Sequence, residues 1–226
     1  LSGGRVELVL GRGSLFLRTY EGFGHDVATA RERYDENVPL LVKLLSEENV
    51  HWAGDFRAPL TGHTTRPRPV ADMPIWIGAG SKGSAELAAD LGCWLMLPSV
   101  FGKPEMFVPI VDIYRARWES IGRDWADARV GACSHCFVGE TTQQARSQWE
   151  PYYRNYWEFV GDLLGGEGTW PSFDLEELLA GPGICGSPAE VVDKVESWRE
   201  IFGLDRHLFM FDLGGIDEAS LMGSLE

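Results

Sequence analysis

Positive charge is scarce in this sequence. Twenty Lys and Arg stand against 34 Asp and Glu in 226 residues, a formal net charge of −14. Such a surface repels phosphate backbones and anionic lipids, so neither nucleic acid nor a membrane surface is an expected partner. Long apolar runs are also missing, and none reaches the roughly 18 residues of a membrane span. Leu1-Ser2-Gly3-Gly4-Arg5 has no charged-then-apolar order of a secretory leader. Cysteine is rare: Cys93, Cys133, Cys136 and Cys185 are too few and scattered for a disulfide framework. A reducing, cytoplasmic setting is therefore the expected localisation. Cys133 and Cys136 form a CxxC, but they fall in a run that reads as a strand. Positions i and i+3 of a strand face opposite ways, which disfavours a shared metal or a disulfide. Paired-carboxylate, nucleophile-elbow and HExxH signatures are absent, and no metal is expected.

Apolar side chains, by contrast, are plentiful. The chain is 44% hydrophobic and 12% aromatic with nine Trp, enough for a substantial core. Short apolar runs at Val6–Leu10, Pro74–Ala79, Cys93–Leu97, Val130–Val138 and His207–Leu213 read as five strands buried on both faces. Helical patterns separate them, at Asp26–Leu45, Ser84–Leu91, Pro104–Ile121, Thr141 to about Val160, and from Ser187 onward. Ser187 is a natural N-cap, with Pro188 at the first helical position and Glu190 in the first turn. Ser46–Asp72 and the Gly- and Pro-rich stretch Gly161–Cys185 read as loops. The pattern predicts an α/β fold with a parallel sheet, either open and doubly wound or part of a (β/α)8 barrel. Five strands do not close such a barrel. No repeat or second domain is evident, so residues 1–226 read as a single domain. Glu218–Glu226 reads as an unfinished amphipathic helix, and no initiator Met is present. The chain is expected to be part of something longer.

Two glycine-rich turns follow strands. They are Gly11-Arg12-Gly13-Ser14 and the formal GxGxxG Gly78-Ala79-Gly80-Ser81-Lys82-Gly83. Glycine lets the backbone approach a ligand, and the helix after the second turn offers free N–H groups and a positive dipole end to a phosphate. Ser81 and Ser84 add hydroxyls, and Arg12 adds a planar guanidinium. The acidic residue that a dinucleotide fold places about 20 residues on is absent, so a mononucleotide suits this turn better. Both turns also read as plain tight connections between strand and helix. His135 lies toward the C-terminal end of its strand, where α/β sites gather. It reads as a candidate catalytic acid–base or as a flavin or substrate contact, with a core histidine the favoured plain reading. Trp149, Tyr152, Tyr153, Tyr156 and Trp157 form an aromatic stripe of the kind that builds cores.

The order and spacing of several segments resemble the bacterial luciferase-like, flavin-dependent monooxygenases. They run from Ser2 to Ser14, including the "GRGS" of Gly11 to Ser14, and through Tyr20-Glu21-Gly22-Phe23-Gly24. They continue with Arg66-Pro67-Arg68-Pro69-Val70, Met73 to Gly80 and Gly186-Ser187-Pro188-Ala189-Glu190, and close on Asp212-Leu213-Gly214-Gly215. The resemblance implies a luciferase-like (β/α)8 TIM barrel of which this chain matches the fourth to eighth strands, a single domain truncated at both ends. It places Arg12 and the turn of Gly80, Ser81 and Ser84 at the flavin phosphate, with Gly13 and Gly78 beside it. It aligns Arg31 with a second phosphate arginine. Gly11 stands where luciferase has a reactive cysteine, so no thiol role carries over. Gly161–Cys185 resembles the family's mobile loop over the reduced flavin. The implied activity is FMN-dependent monooxygenation of a small organic substrate with O2, the reduced flavin coming from a reductase. A deazaflavin-dependent oxidoreductase and a non-catalytic flavin-binding protein are the alternatives, and a fragment without a stable fold is a third. The family's usual dimer contact uses early helices that this chain lacks, which leaves the oligomeric state open.

Overall fold

The computed structural model describes residues 2–13, 17–164 and 170–226. In chain order the elements are β1 (Leu8–Leu10), α1 (Leu17–Gly22), α2 (Ala30–Ser46), β2 (Val50–Trp52), β3 (Leu60–His63), β4 (Ile75–Gly78), α3 (Lys82–Leu91) and β5 (Trp94–Leu97). They continue with α4 (Val108–Ser120), β6 (Val130–Val138), α5 (Thr142–Leu164), α6 (Leu175–Ala180), β7 (Gly183–Gly186), α7 (Pro188–Phe202), β8 (Arg206–Met210) and α8 (Glu218–Leu225). They fall into two compact units. The first is Leu1–Leu95 with Ile113–Ala128, and the second is Met96–Asp112 with Arg129–Glu226. Among the described residues, no helix is long and apolar enough to cross a membrane.

In the first unit β1 and β4 run parallel, Leu8 opposite Ile75 and Leu10 opposite Ile77. Helix α3 buries Ala85, Ala88 and Ala89 completely. These small side chains let the helix seat closely. It stops at Gly92, whose positive φ of 67° suits glycine and whose N–H reaches back to Ala88 and Ala89. Arg123 bonds the Ala89 carbonyl at 2.9 Å at the same helix end. Trp76 is buried, donates its indole N–H to Glu7 at 2.8 Å, and meets Trp94 edge-on. The expected loop at Ser46–Asp72 instead holds an antiparallel hairpin of β2 and β3. Its strands, three and four residues long, are too short for alternation to stand out from the loop around them. Its connecting loop is tied by Glu36, whose carboxylate accepts from Asp55 N–H at 2.7 Å and Phe56 N–H at 3.2 Å. Arg68 closes the end of α2 by donating to the carbonyls of Leu44, Leu45 and Glu47.

The second unit is built on β6. Strand β8 pairs with Gly131 through His135, and β7 pairs with His135 through Val138, both parallel. The β7 bonds use His135 N–H and Gly139 N–H, whereas the bond that leads into β8 uses the Val130 carbonyl. Successive residues of a strand aim these groups at opposite edges, so β7 and β8 flank β6 on different sides. Ahead of β7, Ser99 takes the place of a strand residue. Its Oγ accepts from Cys133 N–H at 3.0 Å and donates to the Cys133 carbonyl at 2.9 Å. Phe137, Trp149, Tyr153, Trp157, Leu178 and Leu213 make one buried cluster, so three of the five aromatic residues of the α5 stripe are core; Tyr156 packs half-buried against it, and Tyr152 donates its hydroxyl to Asp217 instead.

The expectation of strands buried on both faces fails for β1 and β8. Val9 is 49% exposed, and Leu208 and Met210 are each 38% exposed. Only one face of β8 is covered, where His207 stacks between Trp198 and Phe209. The loop expected at Gly161–Cys185 also holds more structure than its composition shows. α5 runs on to Leu164, and α6 and β7 follow, while 165–169 lie outside the described residues. Asp174 caps α6 by accepting from Glu177 N–H at 3.1 Å. The glycines there serve close packing: a Cβ on Gly183 would lie 3.1 Å from both the Leu178 carbonyl and the Tyr153 ring.

Candidate functional site

Within the first unit, the parallel register ends β1 and β4 side by side, and each strand opens into one of the glycine turns. A Cβ on Gly78 would lie 3.3 Å from the Leu10 carbonyl and 3.7 Å from Gly11 Cα, so the two turns meet backbone to backbone. Gly13 has a left-handed φ of 69°. Tyr20 donates to the Arg12 carbonyl at 2.7 Å, which pins the turn while the Arg12 side chain stays exposed. Arg12 and Gly13 also line a cavity of about 140 Å³ with Thr19, Tyr20, Phe23 and His25. Tyr34 donates to the Leu10 carbonyl at 3.1 Å, and burial, with Asp35 next, pushes its phenol up to about 12. Ser14 lies outside the described residues.

The second turn carries the donors. Gly80 is exposed between β4 and α3. Ser81 is the N-cap of α3 by position, yet its side chain does not cap the helix. Its Oγ instead lies 3.0 Å from Ser84 Oγ. Arg31, from α2, brings Nη1 to 3.5 Å from Ser84 Oγ, while its Nε is held by Asp35 Oδ2 at 2.6 Å. A Cβ on Gly83 would lie 3.0 Å from Arg31 Nη2. Glycine there makes room for the guanidinium against the first turn of α3. Two hydroxyls, a guanidinium oriented by a carboxylate and the positive end of a ten-residue helix thus converge on one spot, an arrangement suited to an anion. Arg31, Ser81 and Ser84 are brought together directly; Arg12 and Gly13 stand on the neighbouring turn. Sequence reasoning named Gly83 only as the third glycine of the motif and missed Asp35, whose signal was the i, i+4 spacing from Arg31.

His135 belongs to the second unit. It is the sixth of nine β6 residues, in the C-terminal half of the strand, and has no exposed surface. Its Nδ1 lies 2.9 Å from the Tyr153 hydroxyl, and the Tyr156 ring stands edge-on at 4.8 Å. Among the described residues Nε2 is buried without a hydrogen-bond partner. Burial holds the imidazole down to about 4, which leaves it neutral at physiological pH. Burial likewise pushes the Cys133 and Cys136 thiols up to about 11 and about 12, so neither is a ready nucleophile. Gly214, with a φ of 61°, lies where a Cβ would overlap the Tyr152 carbonyl; the Asp-x-Gly-Gly turn is shaped to pack on α5.

A family model described as luciferase-like monooxygenase matches residues 1–205. The oxygenase component of the flavin-dependent trigonelline monooxygenase of Acinetobacter baylyi (strain ATCC 33305 / BD413 / ADP1) is 23% identical over 231 residues. That match covers 95% of this chain and 63% of the relative, so the chain spans less than two thirds of that relative's length. Among solved structures, monooxygenase RslO1 from Streptomyces bottropensis superposes with a TM-score of 0.84 at 23% identity, covering 99% of this chain and 67% of that one. An F420-dependent secondary alcohol dehydrogenase, in complex with an F420-acetone adduct, superposes with a TM-score of 0.73 at 14% identity, covering 98% of this chain and 68% of that one. These likenesses give the fold as the α/β type of a luciferase-like barrel, incomplete over this length. With its family model matching almost from end to end, the chain belongs to the luciferase-like monooxygenase family.

Proposed function

We propose that this protein acts as a flavin-dependent monooxygenase that uses reduced FMN and O2 on a small organic substrate. The observation that carries the reading is the convergence of Arg31, Ser81 and Ser84 at the first turn of α3, with Gly83 clearing space for the guanidinium. A phosphate monoester fits this donor set: its oxygens take hydroxyl, guanidinium and the first-turn N–H groups that no side chain caps. Asp35 fixes the guanidinium in advance, so less freedom is lost on binding. Arg12, Gly13, Gly78 and Gly80 shape the adjoining turns and complete the proposed seat. Bound reduced FMN supplies the electrons for oxygen activation; the chain's part is to anchor the phosphate, orient the ring and exclude water.

A flavin reductase is the proposed partner, supported by the words "oxygenase component" in the name of the Acinetobacter relative. Trigonelline, named there too, is the first substrate to test. The likeness to an F420-dependent dehydrogenase favours a second reading, hydride transfer with a deazaflavin. The word "flavin-dependent" in the Acinetobacter relative's name supports the flavin reading, of which FMN is the form to test first.

Fluorescence titration of the 226-residue chain with FMN and with riboflavin tests the proposal. FMN is expected to bind saturably and riboflavin far more weakly. Arg31→Ala is expected to weaken FMN by about 10- to 100-fold, the worth of one charge-assisted contact, and to leave riboflavin unchanged. Arg12→Ala should act in the same direction. Equal weakening of both ligands would rule out the phosphate assignment, and tighter binding of F420 than of FMN would favour the deazaflavin.

A further inference from the structure

Within the second unit, a cavity of about 170 Å³ opens between the stretch after β5 and α6. Its floor is apolar: Trp157 and Leu178 line it and are buried. Its rim is charged: Lys103, Asp174 and Glu177 line it and are exposed. The walls are held in place. Trp157 donates its indole N–H to the Pro171 carbonyl at 2.8 Å and packs on Trp170, the ring centroids 4.8 Å apart. A Cβ on Gly181 would lie 3.0 Å from the Gly102 carbonyl, so the two loops meet there backbone to backbone. Asp174 Oδ1 accepts from Glu177 N–H at 3.1 Å, which fixes that carboxylate at the rim.

The three rim charges are not spent on one another. Among the described residues, Lys103, Asp174 and Glu177 have no ion-pair partner, whereas the adjacent Glu176 pairs with Arg146. One ammonium and two carboxylates thus surround a single opening without neutralising each other. Each class of small ligand meets this lining differently. A lone anion faces two carboxylates. A lone cation faces the Lys103 ammonium. A neutral apolar molecule fills the floor but takes water from the rim charges and returns nothing. A ligand of both signs offers its cation to Asp174 and Glu177 and its anion to Lys103, and rests an apolar body on Trp157 and Leu178. Size narrows the class further, because a cavity of about 150 Å³ holds one benzene ring. We propose that this cavity binds a small organic zwitterion, an ammonium group joined to a carboxylate through one ring or a short chain. The site uses residues of the second unit alone and stands without the flavin reading.

Amide NMR titration of the 226-residue chain tests the proposal with probes matched in size. On one ring, p-(aminomethyl)benzoate carries both charges, benzylammonium only the cation and benzoate only the anion. On a short chain, γ-aminobutyrate, butylammonium and butyrate form the same set. In at least one set the zwitterion is expected to bind about 5-fold more tightly than either singly charged probe, and to shift the amides of Gly102, Lys103 and Gly181. Lys103→Gln should cost the zwitterion about 5-fold and leave the cation probe as tight or tighter. Glu177→Gln should weaken zwitterion and cation alike and leave the anion probe as tight or tighter. Neither side chain holds another part of the fold among the described residues, so both variants should keep the wild-type Tm. In both sets, a singly charged probe that binds as tightly as its zwitterion overturns the ligand class. Binding that neither substitution changes, or that leaves those three amides unmoved, places the ligand elsewhere and overturns the site. No binding by either zwitterion up to about 20 mM overturns it as well.

Discussion

At the scale of single residues, the anion seat depends on what is missing at position 83. Glycine within a helix lowers stability by roughly 0.5–1 kcal/mol relative to alanine, so Gly83→Ala on its own should stabilise α3. The added Cβ would meet Arg31 Nη2 at 3.0 Å, closer than such contacts normally fall, and push the guanidinium away from Ser84. The two effects oppose each other and are measured separately. Gly83→Ala is expected to keep or raise Tm while weakening FMN binding about 10-fold, about 1.4 kcal/mol. Unchanged FMN affinity in a well-folded variant would remove Arg31 from the seat. Ser81 and Ser84 were legible in the sequence because GxGxxG between strand and helix states a mechanism; Arg31 came only from the family resemblance, and the three meet in space. The setting of His135 was not legible. It depends on Tyr153, 18 residues away on another element, and on burial that no local pattern encodes.

At the scale of elements, β6 is the clearest success of periodicity. Its nine residues coincide with the expected Val130–Val138, because a long apolar run with β-branched ends has few competing readings. The short elements were hidden. β2 and β3 are three and four residues long, and β7 is framed by glycines that read as loop. What holds them comes from distant side chains, such as Glu36 on the β2–β3 connection and Lys194 on the Gly183 carbonyl of β7; distant side chains also brace the long β6. Ser99 makes the sharper case. It is fully buried, and its one hydroxyl serves both Cys133 N–H and the Cys133 carbonyl. Ser99→Ala would leave both groups short of that partner, at about 1–3 kcal/mol for each buried group left unsatisfied. The expected loss is about 2–4 kcal/mol in urea unfolding, with faster hydrogen exchange at Cys133. A loss below about 0.5 kcal/mol would mean that the two groups find other partners.

At the scale of the molecule, acid acts on one unit before the other. His135 and His207 both lie in the second unit, and burial holds each near 4, below the ordinary 6.5. The unfolded chain therefore binds more protons than the folded one between about 6.5 and about 4. Stability must rise with pH across that window: the contribution is complete above 6.5 and lost as pH falls toward 4. Each shift corresponds to about 3 kcal/mol, an order-of-magnitude figure. The net charge of −14 works the other way, since acidification relieves self-repulsion over the whole surface. That relief is diffuse, whereas the two imidazoles are desolvated at fixed positions. His207 also sits between Trp198 and Phe209, with Nε2 2.8 Å from Ser134 Oγ. Tm is therefore expected to fall from pH 7 to pH 5, and hydrogen exchange should rise first in Arg129–Glu226 while the β1–β4 pair stays protected. His135→Gln and His207→Gln should each flatten part of the slope, and the double variant most of it. A slope that persists in the double variant would assign the acid sensitivity to carboxylates instead. Asp217, which its bonds to Ser220 and Tyr152 hold down near 2, loses its contribution only below about 3.8, outside the measured range.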